Sequence, residues 1–137
     1  MPARLSRRSF LSLASAAGVS LAQPARRVRI GVVGGNFGAS FFWHLHPDSV
    51  VAAVCDLRDD RIERLKKTYN PAARGYTRYS EMIRAGGLDA VAVFTPAPLH
   101  VEMATEALQA GLHVVSAVPA ATSLDDCRRL LGAVKKS

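Results

Sequence analysis

Residues 28–42, VRIGVVGGNFGASFF, decide how this chain folds. The first six of them are almost all apolar, which is typical of a strand that is buried on both faces of a sheet. Glycines follow at Gly34, Gly35 and Gly38, and this density of glycine predicts a tight turn after the strand. Residues 39–45 are apolar on nearly every side, so we expect a deeply buried helix there. The segment thus predicts the strand, turn and helix that open an α/β domain.

The alternation of strand and helix continues along the rest of the chain. Four more apolar runs predict strands at residues 50–55, 76–78, 90–94 and 113–117. Capping residues and apolar positions at spacings of three and four predict helices that begin at Asp59 or Asp60, at Ser80, at residue 99 and at Ser123. This order predicts a doubly wound parallel sheet of about five strands, of the Rossmann type, because right-handed crossovers leave few other topologies.

The glycine turn is the first candidate for a binding site. A dinucleotide fold uses the spacing Gly-x-Gly-x-x-Gly, so that main-chain N–H groups can face a pyrophosphate. Here Gly34 takes the first position, Asn36 the second and Ala39 the third. Asparagine tolerates positive φ better than most residues, so the turn can still form. The Asn36 side chain would then either crowd the pyrophosphate or hydrogen-bond to it.

An acidic residue follows the second predicted strand. Asp56 lies 22 residues after Gly34, where a carboxylate accepts hydrogen bonds from the hydroxyls of the adenine ribose. A carboxylate at this place favours NAD and repels the 2′-phosphate of NADP, and Arg58 can relax that preference. The alternative is that Asp56 caps the end of its strand.

Three segments together resemble one protein family. They are the glycine turn with Asp56, the string VAVFTPAPLH at residues 91–100, and the string AGLHVV at residues 110–115. Over residues 27–137 the chain resembles the N-terminal domain of the glucose-fructose oxidoreductase / inositol dehydrogenase / MocA (Gfo/Idh/MocA) family. The resemblance implies an oxidoreductase with NAD or NADP as cofactor and a sugar or polyol as substrate.

The resemblance also assigns roles to individual residues. Five consecutive turn residues would face the pyrophosphate: Gly34, Gly35, Asn36, Phe37 and Gly38. Asp56 would hold the ribose, while Thr95, Pro96 and His100 would line the nicotinamide side. An alternative for His100 is a residue at the start of a helix whose ring is satisfied by main-chain groups.

Two positions depart from the pattern of the family. Ala97 stands where the family commonly has Asn, and Val118 stands where it has the Lys of a Glu-Lys-Pro turn. Valine cannot carry a proton, and hydride transfer at an alcohol carbon needs a group that moves the hydroxyl proton. The catalytic residue is therefore left unknown. Family members continue into a larger α/β domain after the region that ends here at Ser137, so we expect the C-terminal substrate domain to be missing.

Three interpretations of the chain remain open. It is a truncated piece of an exported NAD(P)-dependent oxidoreductase, a non-catalytic dinucleotide-binding or scaffold module, or an inactive fragment of a gene cut short. Asp56 and the family strings favour the first, Ala97 and Val118 favour the second, and the missing substrate domain favours the third. Assembly into a homo-oligomer also stays open.

Residues 1–22 are expected to be a targeting segment, separate from a domain at residues 23–137. A basic start leads into an apolar run at residues 10–21 that is too short to span a bilayer, so no stable membrane insertion is expected. The string SRRSFL at residues 6–11 resembles the twin-arginine export signal, and cleavage after Ala22 fits the small-x-small rule. Export by that route predicts a periplasmic or other extracytoplasmic location. The alternative is a disordered basic tail.

The net charge of +7 does not indicate a nucleic-acid-binding protein. Three arginines and no acid in residues 1–22 contribute +3 of it, and no basic stripe interleaved with aromatic residues is present. His44 and His46 are two residues apart and would point to different faces of a helix, so no metal site is predicted.

The two cysteines are expected to be small buried hydrophobic residues. Cys55 ends an apolar strand. Cys127 belongs to the side of the last predicted helix that we expect to be buried, together with Leu130, Leu131 and Val134. Export would permit a disulfide, but two cysteines alone do not establish one.

Overall fold

The computed structural model describes residues 26–137, so the predictions for residues 1–22 lie outside the described part of the chain. Five strands form one parallel sheet: β1 (Val28–Val33), β2 (Ser49–Cys55), β3 (Arg74–Tyr76), β4 (Ala90–Val93) and β5 (His113–Ser116). Four α-helices accompany them: α1 (Asp59–Tyr69), α2 (Tyr79–Ala85), α3 (His100–Gln109) and α4 (Leu124–Val134). The strand order is β3-β2-β1-β4-β5, which confirms the predicted doubly wound sheet.

The carboxyl ends of β1, β2 and β4 form one edge of the sheet, which we call the binding edge, and the central strand β1 sets its position. It pairs with β2 on one side and with β4 on the other, and Val33 is level with both Cys55 and Val93. The carboxyl ends of these three strands therefore lie side by side. Because the strand order also reverses at β1, this edge has the crevice in which open α/β sheets bind their ligands.

The hydrophobic core lies in two layers, one on each face of the sheet. Val32 belongs to the first layer together with Leu65 of α1, whereas the next residue, Val33, belongs to the second layer together with Met82 of α2. Successive side chains of a strand point to opposite faces, so β1 contributes to both layers. This explains why residues 30–33 of the strand form an uninterrupted apolar run.

The predicted helix at residues 39–45 is wrong. Two short 3-10 helices, Phe37–Ser40 and Trp43–Leu45, connect β1 to β2 instead. The side chains are also less buried than expected, since Phe42 is 72% exposed and Leu45 is 69% exposed.

Aromatic packing and one tyrosine explain why this connection is not an α-helix. The Phe41 ring stacks on Phe94 at 4.4 Å and on Trp43 at 5.7 Å, and it covers the face of the sheet that a helix would cover. The hydroxyl of Tyr69 donates to the carbonyl of Gly38 at 2.5 Å and accepts from the N–H of Phe41 at 3.2 Å. These contacts satisfy main-chain groups that a helix would pair internally. Burial raises the pKa of the Tyr69 phenol, which keeps the proton that it donates.

The last helix also differs from the expectation. Cys127 is exposed, and Leu131 and Val134 are 55% and 52% exposed, so α4 has no buried face. The reason is its place in the fold, because α4 packs mainly on α3 and the neighbouring strand β5 is an edge strand. The predicted cap is confirmed, since Ser123 Oγ accepts a hydrogen bond from the Asp126 N–H at 3.1 Å.

Other element boundaries differ by a few residues. The third strand ends at Tyr76, where the sequence had predicted its start, and α2 begins at Tyr79, so that Ser80 lies inside the helix. Asp59 and Asp60 lie in the first turn of α1 and do not cap it.

We expect Tyr69→Phe to lower the free energy of unfolding by about 1–2 kcal/mol, because it removes both hydrogen bonds to the β1–β2 connection. Urea denaturation of the full chain measures the change. The matched control is Tyr76→Phe, since the Tyr76 hydroxyl has no hydrogen-bond partner in the region 26–137. Equal unfolding midpoints for the two variants would contradict this role of Tyr69.

Candidate functional site

A cavity of about 340 Å³ opens at the carboxyl ends of β1, β2 and β4. Residues of the strand ends, the following turns and the facing helices line it: Val33, Gly34, Asn36, Cys55, Asp56, Leu57, Arg58, Arg61, Thr77, Tyr79, Phe94, Thr95, Pro96, Leu99 and Met103. Its volume lies in the range of small-molecule sites, which is about 300–1,000 Å³. Five of the nine residues predicted from the sequence line it: Gly34, Asn36, Asp56, Thr95 and Pro96.

The glycine turn is fixed by its close approach to two neighbours. Gly34 has φ +96°, and a Cβ atom there would lie 2.4 Å from the carbonyl oxygen of Phe94. A Cβ atom on Gly35 would lie 2.6 Å from Cβ of Arg61. Asn36 has φ −88°, so the positive φ of this turn falls on Gly34 and none is required of Asn36.

The turn leaves main-chain donors free. Within residues 26–137, the N–H groups of Asn36 and Phe37 have no protein acceptor, while that of Gly34 donates to the carbonyl of Cys55 at 2.9 Å. Free N–H groups in a glycine turn are the donors that bind phosphate oxygens. Asn36 lines the cavity, so the turn fits the phosphate groups of a dinucleotide.

Phe37, Gly35 and Gly38 do not line the cavity. The N–H of Gly35 is bound to Asp56, and Gly38 is buried against Phe94. The Phe37 ring packs edge-on against Phe94 at 5.7 Å. These residues shape the turn, and direct contact between them and a cofactor stays a prediction.

Asp56 connects two turns at the end of β2. The residue is only 9% exposed. Its Oδ2 accepts a hydrogen bond from the N–H of Gly35 at 2.7 Å, and its Oδ1 accepts one from the N–H of Arg58 at 3.0 Å. The guanidinium of Arg61 lies 3.9 Å from Oδ2. Asp56 thus has the capping role that was the alternative to ribose binding, and it also lines the cavity.

His100 does not line this cavity, and its assignment to the nicotinamide side stays a prediction. The residue is 1% exposed, and its two ring nitrogens lie 2.7 Å from the carbonyl oxygen of Thr95 and 2.8 Å from that of Pro119. The ring therefore joins the turn after β4 to the turn after β5. The alternative in which main-chain groups hold the histidine fits this geometry, and a neutral ring, which has one N–H, donates to one of the two carbonyl groups.

Several lining residues were not predicted from the sequence. Arg61 lies in α1, five residues after Asp56, and the helix brings it back to the strand end. Tyr79 donates its hydroxyl to the carbonyl of Met103 at 2.7 Å, and burial raises its pKa. Burial also raises the pKa of the Cys55 thiol to about 12, so this side chain is uncharged at neutral pH. The charged lining residues are Asp56, Arg58 and Arg61.

Val118 follows β5 and is 91% exposed. The neighbouring Ala117 is held by a hydrogen bond from its N–H to the carbonyl of Val93 at 3.0 Å. A valine supplies no group that moves a proton. The structure thus has an inert side chain at the position where the resemblance in the sequence implies a lysine.

A metal site receives no support from the histidines. The ring of His44 lies 5.4 Å from that of Tyr69, and Nδ1 of His46 accepts a hydrogen bond from the N–H of Asp48. Across the described residues, no three His, Cys, Asp or Glu side chains are grouped to hold an ion.

Within residues 26–137, none of the helices has both the length and the apolar character needed to cross a bilayer.

Residues 28–137 match the Gfo/Idh/MocA family, described as an oxidoreductase family with an NAD-binding Rossmann fold. The chain belongs to this family. It is 38% identical to a glycosyl hydrolase family 109 protein of Streptomyces coelicolor over 71% of the chain and 23% of that protein. It is 34% identical to an inositol 2-dehydrogenase/D-chiro-inositol 3-dehydrogenase of Shouchella clausii over 77% of the chain and 32% of that protein.

Two solved Gfo/Idh/MocA structures with bound cofactors are similar to the chain. The WlbA dehydrogenase of Bordetella pertussis, in complex with NADH and UDP-GlcNAcA, is 29% identical with a TM-score of 0.72, over 83% of the chain and 34% of that structure. A 3-ketoreductase of Actinomadura kijaniata, in complex with NADP and TDP-benzene, is 28% identical with a TM-score of 0.72, over 81% and 35%. The chain thus corresponds to the NAD-binding Rossmann domain of Gfo/Idh/MocA proteins, and it spans between 23% and 35% of these four relatives.

We expect Gly34→Ala to destabilise the chain by more than about 2 kcal/mol, because positive φ is costly for alanine and its Cβ would overlap the Phe94 carbonyl. Thermal unfolding followed by circular dichroism measures the loss. Gly132→Ala is the matched control, since a Cβ there meets nothing within 4 Å and α4 gains up to about 1 kcal/mol from a better helix former. A Gly34→Ala chain as stable as the wild type would show that the turn is not fixed by this contact.

Proposed function

We propose that this chain is the dinucleotide-binding part of an exported oxidoreductase that acts on a sugar or polyol. The observation that carries the proposal is the common cavity at the end of β1, which the glycine turn, Asp56, Thr95 and Pro96 all line. The inositol dehydrogenase of Shouchella clausii and the NADH complex of WlbA support the substrate class and the cofactor.

The residues of the cavity have distinct tasks in this proposal. The free N–H groups of Asn36 and Phe37 bind phosphate oxygens. Thr95 and Pro96 form the wall beside the nicotinamide, while Leu99 and Met103 keep that part of the cavity apolar. The nicotinamide, when bound, supplies the hydride chemistry.

A second candidate is a module that binds a dinucleotide without turning over a substrate. Val118 favours it, because its exposed side chain cannot move the proton of a hydroxyl group. The two candidates share the cofactor cavity and differ in the chemistry after binding.

We expect NADH to bind the chain with a dissociation constant below about 1 mM, because the turn and the strand ends supply donors and apolar walls in one cavity. The fluorescence of NADH, titrated with the full chain, measures this. The absence of saturable binding at millimolar NADH would reject both candidates.

The same preparation, mixed with NAD and a panel of polyols and sugars, tests the second candidate. Binding without reduction of NAD is expected of the chain alone, since Val118 offers no proton acceptor. Val118→Lys is the informative variant, because it restores a group that can carry a proton. NAD reduction by the unaltered chain would reject the non-catalytic module.

We also propose that residues 1–22 direct export by the twin-arginine route. The support is the string SRRSFL followed by a short apolar run. We expect Arg7→Lys with Arg8→Lys to abolish periplasmic delivery of a reporter fused after residue 22, as assayed by cell fractionation. The control is Arg4→Lys, which removes an arginine outside the pair. Equal delivery by the double variant would reject this route.

A further inference from the structure

Two buried side chains join neighbouring turns at the end of the sheet where the cavity opens. On one side, Asp56 joins the turn after β1 to the residues that follow β2. On the other side, the ring of His100 lies between the turn after β4 and the turn after β5. His100 is 1% exposed and does not line the cavity, so it acts on a ligand there only through the turns that it contacts.

The turn after β4 forms part of the cavity wall. Thr95 and Pro96 both line the cavity, and the hydroxyl of Thr95 donates to Sδ of Met103, a further lining residue, at 3.5 Å. Nε2 of His100 lies 2.7 Å from the carbonyl oxygen of Thr95. The buried ring therefore contacts the main chain of this wall without lining the cavity itself.

The turn after β5 depends on the same ring. The pairing of β5 with β4 ends where the N–H of Ala117 donates to the carbonyl of Val93 at 3.0 Å. Nδ1 of His100 then lies 2.8 Å from the carbonyl oxygen of Pro119. Among the hydrogen-bond contacts between described residues, this is the one that involves residues 118–122. That segment is largely exposed, so the contact with His100 sets its place beside the turn after β4.

The His100 ring can donate to one of these carbonyl groups when it is neutral, because a neutral imidazole has a single N–H. Pro119 is exposed, so water can donate to its carbonyl oxygen, whereas Thr95 is partly buried. A buried main-chain oxygen needs a donor from the protein. An N–H on Nε2 supplies that donor to Thr95 and leaves the carbonyl of Pro119 to water.

We infer that His100 is a positioning residue for the nicotinamide half of the cofactor, which it does not touch. Its Nε2–H donates to the carbonyl of Thr95 and fixes the wall that Thr95 and Pro96 form, while the Nδ1 side of the ring keeps the turn after β5 next to that wall. A wall that is fixed in advance binds a ligand more tightly than one that becomes ordered on binding. This inference rests on the proposed dinucleotide binding.

NADH and ADP-ribose separate the two halves of the cofactor. ADP-ribose has the same adenosine, pyrophosphate and second ribose as NADH but no nicotinamide. Isothermal titration calorimetry with the full chain measures both dissociation constants. A loss of positioning should weaken the binding of NADH and leave that of ADP-ribose nearly unchanged, whereas a general loss of stability should change both affinities alike.

Two substitutions divide the contacts of the ring. In His100→Gln the amide nitrogen can reach the place of Nε2 and donate to Thr95, and in His100→Asn it takes the place of Nδ1 and faces Pro119. We expect His100→Asn to weaken NADH binding by at least about fivefold, the effect of one lost hydrogen bond, and ADP-ribose binding by less than about twofold. We expect His100→Gln to keep both affinities within about twofold of the wild type. His113→Asn is the matched control, because His113 is exposed on β5 and does not line the cavity.

A measurement on the unaltered chain makes the test independent of how the variants fold. The nitrogen-15 chemical shifts of the His100 ring show which nitrogen carries the proton, and we expect a proton on Nε2. A proton on Nδ1 alone would overturn the inference. Circular dichroism spectra verify that each variant is folded.

The outcomes separate this inference from the proposed function. Equal weakening of NADH and ADP-ribose in His100→Asn, or equal NADH affinities in His100→Asn and His100→Gln, would leave His100 a purely structural role and overturn the inference, while the dinucleotide site would stand. Failure of the wild-type chain to bind either NADH or ADP-ribose would overturn the proposed function and the inference together.

Discussion

The buried carboxylate of Asp56 is the contact on which the binding edge of this sheet depends. It accepts hydrogen bonds from the N–H of Gly35 after β1 and from the N–H of Arg58 before α1, so one side chain fixes two loops. A buried N–H group left without a partner costs about 1–3 kcal/mol. The cavity therefore has its shape because these loops are held together before any ligand arrives. The close approach of Gly35 to Arg61 is a consequence, since no side chain fits between the two loops.

The aromatic connection between β1 and β2 depends on the same arrangement. The glycine turn leaves β1 at a fixed angle, and the chain then covers the face of the sheet with Phe41 where relatives of this fold generally use a helix. The stacking of Phe41 on Phe94 stabilises this short connection, and so do the two hydrogen bonds that the Tyr69 hydroxyl makes with main-chain groups. In the proposed function, phosphate binding therefore relies on two free N–H groups of the turn, because a four-residue 3-10 helix adds little dipole.

The sequence predicts the sheet well because each strand is a local pattern. The run VRIGVV predicts both ends of β1 correctly, because an apolar run followed by glycines is typical of a buried strand that leads into a tight turn. The prediction of a helix at residues 39–45 was wrong, because an apolar run fits a buried helix and an aromatic loop equally well. The exposed face of α4 could not be predicted either, since burial depends on which elements lie next to it. The sequence places His100 correctly beside the turn after β4, but only the fold shows that its two ring nitrogens lie next to main-chain carbonyl groups.

Cofactor binding and chemistry depend on different parts of this chain. Binding uses main-chain groups and strand ends, which tolerate changes of side chain such as Asn36 in the glycine pattern. Proton transfer, by contrast, is most often carried out by an ionisable side chain that is held at one place. His100 is the titratable side chain that the fold brings to the turn after β5, and its two ring nitrogens are already engaged with carbonyl groups. With Val118 in the lysine position, the structure therefore retains the features for binding a dinucleotide more fully than those for turning over a substrate.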